Sequence, residues 1–389
     1  MTTTTSLLLA ALREQEFAAV SGRGAYLNSA STGPLPARAV AVLSRSNRDR
    51  ADPRTWTVER ANTVLDRSRQ LAARLIGASA DEIALMPNTT TGINVAAWAL
   101  PLDRGDIVLT FDREFPTNIY PWLARSRDGV QLERVPVDGR GWPDQERLEE
   151  RLRAPSVRAV CVSLAQFSTG WTIDLDRLSR LTRELGKWLI VDAIQGLGHV
   201  PVDVRRTPVD FLASGGQKWL LSPWGTGFLY VRRELIETIA PTFAGWAAFQ
   251  GTDDYSRLTA YDPRPWPDAR RFEIYTLAVQ DFAAMNAALE MLLDLGIEVI
   301  AAHAEAIAAP VLAWAADRPG RVTSPRGAHQ SAILCVRPEG DVAAAHQRLT
   351  EAGVASSLRE GAIRLSPHLF NTVEELDRVA ALLADQGRI

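Results

Sequence analysis

Apolar and polar positions alternate in two ways between about residues 60 and 235. Short runs of mostly apolar residues predict buried strands, and segments with apolar residues three and four positions apart predict amphipathic helices. The strands are expected at 82–86, 106–111, 131–137, 157–164, 188–193, 210–214 and 225–231. Helices are expected between them, among others at 57–76, 92–99, 117–127 and 175–185. This order predicts an α/β fold with a mostly parallel, seven-stranded sheet and helices on both faces.

The pattern changes after residue 248, where a stretch rich in proline and tryptophan predicts a long irregular connection. A helix is expected at 276–295, a strand at 331–336 and a final helix at 373–386. We therefore expect three parts. These are an N-terminal helical segment (1–25), a large domain (26–270) and a smaller C-terminal α/β domain (271–389), with the helix 276–295 at their boundary.

Composition narrows the function classes. The chain has 389 residues, 46% of them hydrophobic, and a net charge of −3, which gives no reason to expect a nucleic-acid or anionic-membrane partner. No apolar run approaches the roughly 18–20 residues that span a bilayer. Cys161 and Cys335 each lie in an apolar, strand-like run, which predicts two inert thiols, no disulfide framework and a cytoplasmic location. The five histidines are scattered, so no metal site is expected.

The first polar segments at predicted strand ends are Pro87-Asn-Thr-Thr-Thr-Gly-Ile-Asn94 and Asp112-Arg-Glu-Phe-Pro-Thr-Asn-Ile-Tyr120. Three hydroxyl groups at a helix N-terminus suit a phosphate, although capping of the helix by one threonine is the simpler explanation. Phe115 in the second segment offers either a stacking surface beside a ligand or a core side chain. Ligands collect at the carboxyl ends of strands in sheets of this type.

The other two segments offer an acid and an amine. Asp192, in Val191-Asp-Ala-Ile-Gln195, ends a buried strand and needs a partner, which could be a protonated ring nitrogen, an arginine or a helix cap. Lys218, in Ala213-Ser-Gly-Gly-Gln-Lys-Trp-Leu220, is one of only two lysines, beside 41 arginines. A primary amine can lose its proton and form a Schiff base, which a guanidinium cannot do. The other lysine, Lys187, is expected in solvent at a helix–strand turn.

A phosphate cradle, a stacking ring, an acid for a ring nitrogen and a Schiff-base lysine together match pyridoxal 5′-phosphate. The stretches 191–203, 210–219 and 225–231 also resemble the class V aminotransferases, fold-type I enzymes that include cysteine desulfurases, kynureninases, isopenicillin N epimerase and cysteine-conjugate C–S lyases. The similarity extends from about Tyr26 to the C-terminus. It implies a pyridoxal phosphate enzyme that acts on a small amino-acid substrate.

The resemblance also assigns roles to residues. Lys218 would form the Schiff base and shuttle protons, Asp192 would hold the ring N–H, and Gln195 would contact the ring hydroxyl. Phe115 would stack on the ring in the place where desulfurases have histidine. The resemblance implies phosphate contacts from Thr90, Thr91, Ser214 or Gly215, Gln217 (where many relatives have histidine) and Thr276. Thr276 would come from the second subunit, which implies a homodimer with a shared active site. Substrate contacts are implied for Arg364, which would grip the α-carboxylate, and for Gln166 and Asn28.

The reaction type stays open among several fates of the Cα carbanion. A cysteine desulfurase needs an accessible thiol in the segment before Arg364, and 352–363 contains no cysteine. A β-eliminating C–S lyase needs no protein thiol, so we expect a lyase acting on a cysteine S-conjugate, in a specialised, natural-product pathway. Epimerase, aminotransferase and decarboxylating or oxidative variants are the alternatives. A non-catalytic relative should have lost Lys218, Asp192 or Arg364, and all three are present.

Overall fold

The computed structural model describes residues 3–385 apart from Thr242, Ala244, Tyr275 and Pro319. Within this part of the chain the α-helices are α1 Thr3–Glu16, α2 Ala37–Ala51, α3 Val58–Ile76, α4 Thr89–Ala99, α5 Tyr120–Ala124, α6 Gln145–Leu152, α7 Leu175–Glu184, α8 Arg233–Thr238, α9 Val279–Leu295, α10 Ile297–Ile307, α11 Ala309–Ala315, α12 Val342–Glu351 and α13 Val373–Ala384. The strands are β1 Ala25–Tyr26, β2 Ile83–Leu85, β3 Ile107–Phe111, β4 Gln131–Val135, β5 Val157–Ser163, β6 Trp188–Asp192, β7 Phe211–Gly215, β8 Gly227–Val231, β9 Leu334–Val336, β10 Val354–Ala355, β11 Ser357–Arg359 and β12 Ala362–Leu365.

All seven strands predicted for the large sheet are present, in the order β2-β8-β7-β6-β5-β3-β4. Strand β8 is antiparallel to both of its neighbours, β2 and β7, and the other ladders are parallel. Strand β2 therefore runs in the same direction as β3–β7. The mostly parallel seven-stranded sheet is thus confirmed.

Both faces of this sheet are covered, which explains why its strands are continuously apolar. Successive side chains of a strand point to opposite faces. In β5, Val160 and Val162 accordingly belong to one buried cluster, and Ala159 and Cys161 belong to another. A parallel sheet buried in this way shows no polar–apolar alternation, since neither face meets water.

The predicted and observed helices differ in several places. The helix expected at 117–127 is broken into Pro116–Asn118, α5 and Arg125–Asp128, because Pro121 lacks the N–H that would donate to the carbonyl oxygen of Thr117 in a continuous helix. The predicted helices did not include α2, α6, α8, α10, α11 or α12. The last helix, expected to reach residue 386, is described as far as Ala384, and Gln386 lies outside the described residues.

The chain after α9 contributes most of a third apolar cluster. Strands β9, β11 and β12 form a small antiparallel sheet, and β1 pairs with β10. Helices α11–α13 pack on these strands through residues such as Val311, Leu349 and Val379. The division into three parts at residues 25 and 270 stays a prediction.

Helices α10 and α11 form a stretch, Ile297–Ala315, that is long and apolar enough to cross a membrane by length and composition. No such run was predicted from the sequence, because Glu298, His303 and Glu305 interrupt the apolar residues. The core helix of a soluble protein can meet the same two criteria, so length and composition are weak evidence for a membrane span.

Candidate active site

The four polar segments meet at one edge of the large sheet. Strands β2, β3, β6 and β7 run in the same direction, so the loops that follow them lie side by side. A cavity of about 280 Å³ opens there. It is lined by Ala30, Ser31, Asn88, Thr89, Thr90, Phe115, Thr117, Phe167, Asp192, Ile194, Gln195, Gln217, Lys218, Trp224, Arg359 and Arg364.

The backbone around Lys218 is fixed by an N-terminal loop. The N–H of Gly33 donates a hydrogen bond of 2.9 Å to the carbonyl oxygen of Gln217. A Cβ atom on Gly33 would lie 2.1 Å from the carbonyl oxygen of Lys218 and 2.7 Å from a methyl carbon of Leu221. Glycine is therefore the residue that allows this loop to approach the lysine so closely. No role for Gly33 was predicted from the sequence, since the contact joins segments far apart in the chain.

Lys218 and Asp192 form a buried pair of titratable groups. Burial and the positive charges of Arg364 and Arg359 lower the pKa of Lys218, against the opposing effect of Asp192. Burial raises the pKa of Asp192, whose carboxylate accepts a hydrogen bond of 3.0 Å from the Ile194 N–H. A desolvated amine loses its proton more readily, so the environment of Lys218 suits a nucleophile or a base near neutral pH.

Gln195 is held in a fixed orientation. Its Oε1 accepts a hydrogen bond of 2.9 Å from the indole N–H of Trp219, and its Nε2 donates to the carbonyl oxygen of Ala30 at 3.0 Å. The Trp219 indole packs between the rings of His199 and His368, at centroid distances of 3.9 and 5.6 Å. Burial lowers the pKa of both imidazoles, so these rings are neutral packing partners.

The threonines at the start of α4 have three different environments. Thr89 Oγ1 accepts a hydrogen bond of 2.9 Å from the Gly215 N–H, which ties the helix to the end of β7. Thr90 Oγ1 lies 2.8 Å from Thr117 Oγ1 at the cavity wall. Thr91 does not line the cavity, and its hydroxyl donates to Asn88 Oδ1 at 3.2 Å. The threonines that border the cavity are therefore Thr89 and Thr90, one position before the pair named in the sequence analysis.

Arg364 is almost completely buried at the other side of the cavity. Its guanidinium donates to the carbonyl oxygen of Phe167 at 2.7 Å and to Ser31 Oγ at 2.8 Å. Burial and the charge of Arg359 lower the pKa of Arg364 to about 10. The guanidinium contacts no carboxylate among the described residues, so an anionic substrate group would supply the missing charge.

Seven of the twelve predicted site residues line the cavity, and five do not. The seven are Thr90, Phe115, Asp192, Gln195, Gln217, Lys218 and Arg364. The five outside its lining are Asn28, Thr91, Gln166, Ser214 and Thr276. Ser214 donates its hydroxyl hydrogen to the Gly215 carbonyl oxygen at 3.1 Å.

Gln166 is directed away from the cavity because a buried acid binds its amide. Its Nε2 donates to Glu114 Oε1 at 2.7 Å. The same carboxylate accepts hydrogen bonds from Ser163 and Asn118, and burial raises its pKa.

The position of Lys187 agrees with the prediction, but its exposure does not. It lies at the predicted turn before β6, but it is half-buried, with Nζ 3.4 Å from the Ala154 carbonyl oxygen.

Pyridoxal phosphate fits this arrangement. The Asp192 carboxylate is buried with one hydrogen bond, so it needs a cationic partner such as the ring N–H. Gln217 Oε1 is buried and has no hydrogen-bond partner among the described residues. The N-terminus of α4, with Thr89 and Thr90, could hold the phosphate, and Phe115 could cover the ring.

The family model "Aminotransferase class-V" matches residues 25–379. With a match of this length, the chain belongs to the class V aminotransferase family, and its cofactor is pyridoxal 5′-phosphate. The fold is that of the fold-type I enzymes of this kind.

Proteins similar to this chain carry names that refer to different activities. The uncharacterized aminotransferase YcbU of Bacillus subtilis (strain 168) is 32% identical, over 81% of this chain and 82% of its own. The probable cysteine desulfurase 2 of Mycobacterium leprae (strain TN) is 30% identical, over 92% of this chain and 90% of its own. The cystine C–S lyase C-DES, solved with its reaction product cysteine persulfide, superposes with a TM-score of 0.86 at 24% identity, over 96% of this chain and all of the other. At 24% identity, the similarity to C-DES shows a shared fold alone.

Proposed function

We propose that the protein is a β-eliminating C–S lyase that acts on a cysteine S-conjugate, in a specialised, natural-product pathway. The observation that supports elimination is the absence of a thiol from the lining of the Lys218 cavity. A cysteine desulfurase passes sulfur to a cysteine of the enzyme, whereas β-elimination releases the thiol directly.

Both cysteines of the chain are unsuited to accepting sulfur. Cys161 is buried in β5, and burial raises its pKa well above the ordinary value. Cys335 is buried in β9, donates to the Ser168 carbonyl oxygen at 3.1 Å and has a pKa raised to about 11. The thiolate is the nucleophilic form of cysteine, and neither residue forms it readily.

In the proposed reaction, Arg364 binds the α-carboxylate of the substrate and orients Cα towards Lys218. Pyridoxal phosphate, when bound, withdraws electrons from Cα and so acidifies its proton. The uncharged Nζ of Lys218 removes this proton. The Cβ–S bond then breaks, and the electron pair leaves with the thiolate. The remaining three-carbon enamine hydrolyses to pyruvate and ammonia.

A homodimer with a shared active site is part of this proposal. Thr276 is exposed and lines a different cavity, of about 550 Å³, which does not include Lys218. The exposed side chains of Trp246 and Tyr255 line this cavity, and those of Trp246 and Tyr261 line a second cavity beside it. Light scattering tests the dimer. Mixing the Lys218→Ala and Thr276→Ala variants tests whether the two subunits share each active site. If they do, a hybrid dimer has one site without either substitution and should regain activity.

Product analysis of the holoenzyme with S-alkyl cysteines tests the reaction. Thiol, pyruvate and ammonia in equal amounts are the expected products. A keto acid that retains its side chain would indicate transamination or oxidation instead, and exchange of the Cα hydrogen for solvent deuterium without cleavage would indicate epimerisation.

A cysteine desulfurase is the second candidate, because likeness to relatives such as the Mycobacterium leprae protein favours it. This candidate predicts alanine and sulfide from L-cysteine in the presence of a reductant. The double variant Cys161→Ala/Cys335→Ala separates the two. It should keep full lyase activity, and loss of turnover without loss of folding would support the desulfurase.

A further inference from the structure

The small sheet places a second arginine in the cavity. Strand β11 joins β12 through Glu360 and Gly361, both of which have positive φ angles, 46° and 74°. Such a two-residue turn fixes the register of the hairpin. In this register Ser357 pairs with Arg364, and Arg359 pairs with Ala362.

Register determines which side chains share a face. Cross-strand partners lie on one face, as do residues two apart in a strand. Arg359 is two residues from Ser357, the partner of Arg364, so Arg359 and Arg364 lie on the same face of the hairpin. Both line the Lys218 cavity, and both positive charges act to lower the pKa of Lys218.

The face is rich in donors that lack partners. Arg359 has no ion pair among the described residues, and its Nη1 donates to the carbonyl oxygen of Leu358 at 2.7 Å. Ser357 Oγ and Arg364 Nε are buried and have no hydrogen-bond partner in the described part of the chain. Unsatisfied buried donors are uncommon, so the two arginines, which both line the cavity, point to anionic groups on a ligand.

Arg359 has no assigned counter-charge at the cavity. The Asp192 carboxylate would offset the ring N–H of the cofactor, the amine of Lys218 is uncharged when it reacts, and Arg364 would match the α-carboxylate of the substrate. The residues that could hold a phosphate belong to α4 and β7 in the large sheet, whereas Arg359 belongs to the small sheet. A second anionic group on the substrate would balance Arg359.

We propose that Arg359 is a specificity-determining residue that binds a carboxylate on the S-substituent of the substrate, so that the substrates are acidic cysteine S-conjugates. This inference rests on the proposed lyase function. Phe115, Phe167 and Trp224 also line the cavity and could cover the apolar part of the conjugate between sulfur and carboxylate.

A matched pair of substrates tests the inference in the holoenzyme. S-(2-carboxyethyl)-L-cysteine and its neutral amide, S-(2-carbamoylethyl)-L-cysteine, have nearly the same shape. The acid should be cleaved with a kcat/KM about 10- to 100-fold higher than the amide. Arg359→Gln should remove this preference by lowering kcat/KM for the acid much more than for the amide, and Arg359→Lys should keep part of it.

Arg337→Gln is the control, because Arg337 is an exposed arginine that touches the same turn through the Glu360 carbonyl oxygen. It should leave the preference unchanged. Equal cleavage of acid and amide by the wild type would overturn the inference, as would an equal loss for both substrates in Arg359→Gln.

The acidic site can be tested apart from the lyase proposal by measuring the binding of amino acids that have no leaving group. L-Glutamate and L-glutamine are titrated against the visible absorbance of the holoenzyme. Tighter binding of glutamate, lost in Arg359→Gln, would uphold the acidic site even if no conjugate were cleaved. Cleavage of S-alkyl cysteines without any acid preference would uphold the lyase and overturn the acidic site.

Discussion

The Nζ atom of Lys218 lies 5.4 Å from the centroid of the Phe115 ring. The two residues follow different strands, β7 and β3, and face the same cavity. Phe115 also contacts the ring of Phe167 edge-to-face at a centroid distance of 5.3 Å. With 40% of its surface exposed, Phe115 is a wall of the cavity and not a core residue.

Replacing Phe115 with alanine should weaken cofactor binding about 10-fold, because a stacked aromatic pair contributes roughly 0.5–1.5 kcal/mol beyond the area it buries. Titration of the cofactor-free protein with pyridoxal phosphate, followed by absorbance, measures this. Tyr120→Ala is the control, since Tyr120 is exposed and does not line the cavity. Equal affinity of the two variants would show that the ring does not cover the cofactor.

Asp192→Asn should lower kcat/KM about 100-fold or more. The amide cannot hold a positive charge on the ring nitrogen, and removing one partner of a buried charge pair costs roughly 3–5 kcal/mol. Steady-state kinetics with the holoenzyme measure the loss. Asp112→Asn, just after β3 in the same sheet and outside the cavity lining, should remain active. An active Asp192→Asn enzyme would contradict the assigned role.

Gly33→Ala should damage the site through the backbone. Its Cβ would overlap the Lys218 carbonyl oxygen, so the lysine segment must shift. We expect the free energy of unfolding to fall by about 1–3 kcal/mol and the cofactor to bind more weakly. Thermal unfolding and cofactor titration measure the two effects. Gly139→Ala is the matched control, because no atom lies within 4 Å of its Cβ position. If both variants behave like the wild type, the close approach is unimportant.

The capture of pyridoxal phosphate by the cofactor-free protein should depend on pH. Only the unprotonated amine of Lys218 reacts, and its pKa is lowered to about 8 from 10.5. The rate should therefore rise with pH, reach half of its maximum near pH 8 and level off about one pH unit higher. Stopped-flow absorbance between pH 7 and 10 measures it. In Arg359→Gln a positive charge is removed, the pKa rises and the midpoint moves to higher pH. A wild-type rate still rising steeply at pH 10 would contradict a lowered pKa.

The predicted and observed sites agree at residues near strand ends and differ at some residues in loops. Lys218, Asp192 and Phe115 follow apolar strands, and strand direction alone brings such positions to one edge of a sheet. Thr91 and Gln166 lie outside the cavity lining, because the direction of a side chain within a loop depends on its contacts with other residues. Gln166 turns towards Glu114, and Thr91 turns towards Asn88.

The sequence by itself determined the seven strands of the large sheet and the order of chemical groups along them, because apolar periodicity and strand ends are local properties. Only the tertiary structure decided that Gly33 supports Lys218, that Trp219 orients Gln195 and that Arg359 faces the cavity beside Arg364. The Gly33 contact joins segments far apart in the chain, and the other two depend on packing and strand register, which no single segment specifies.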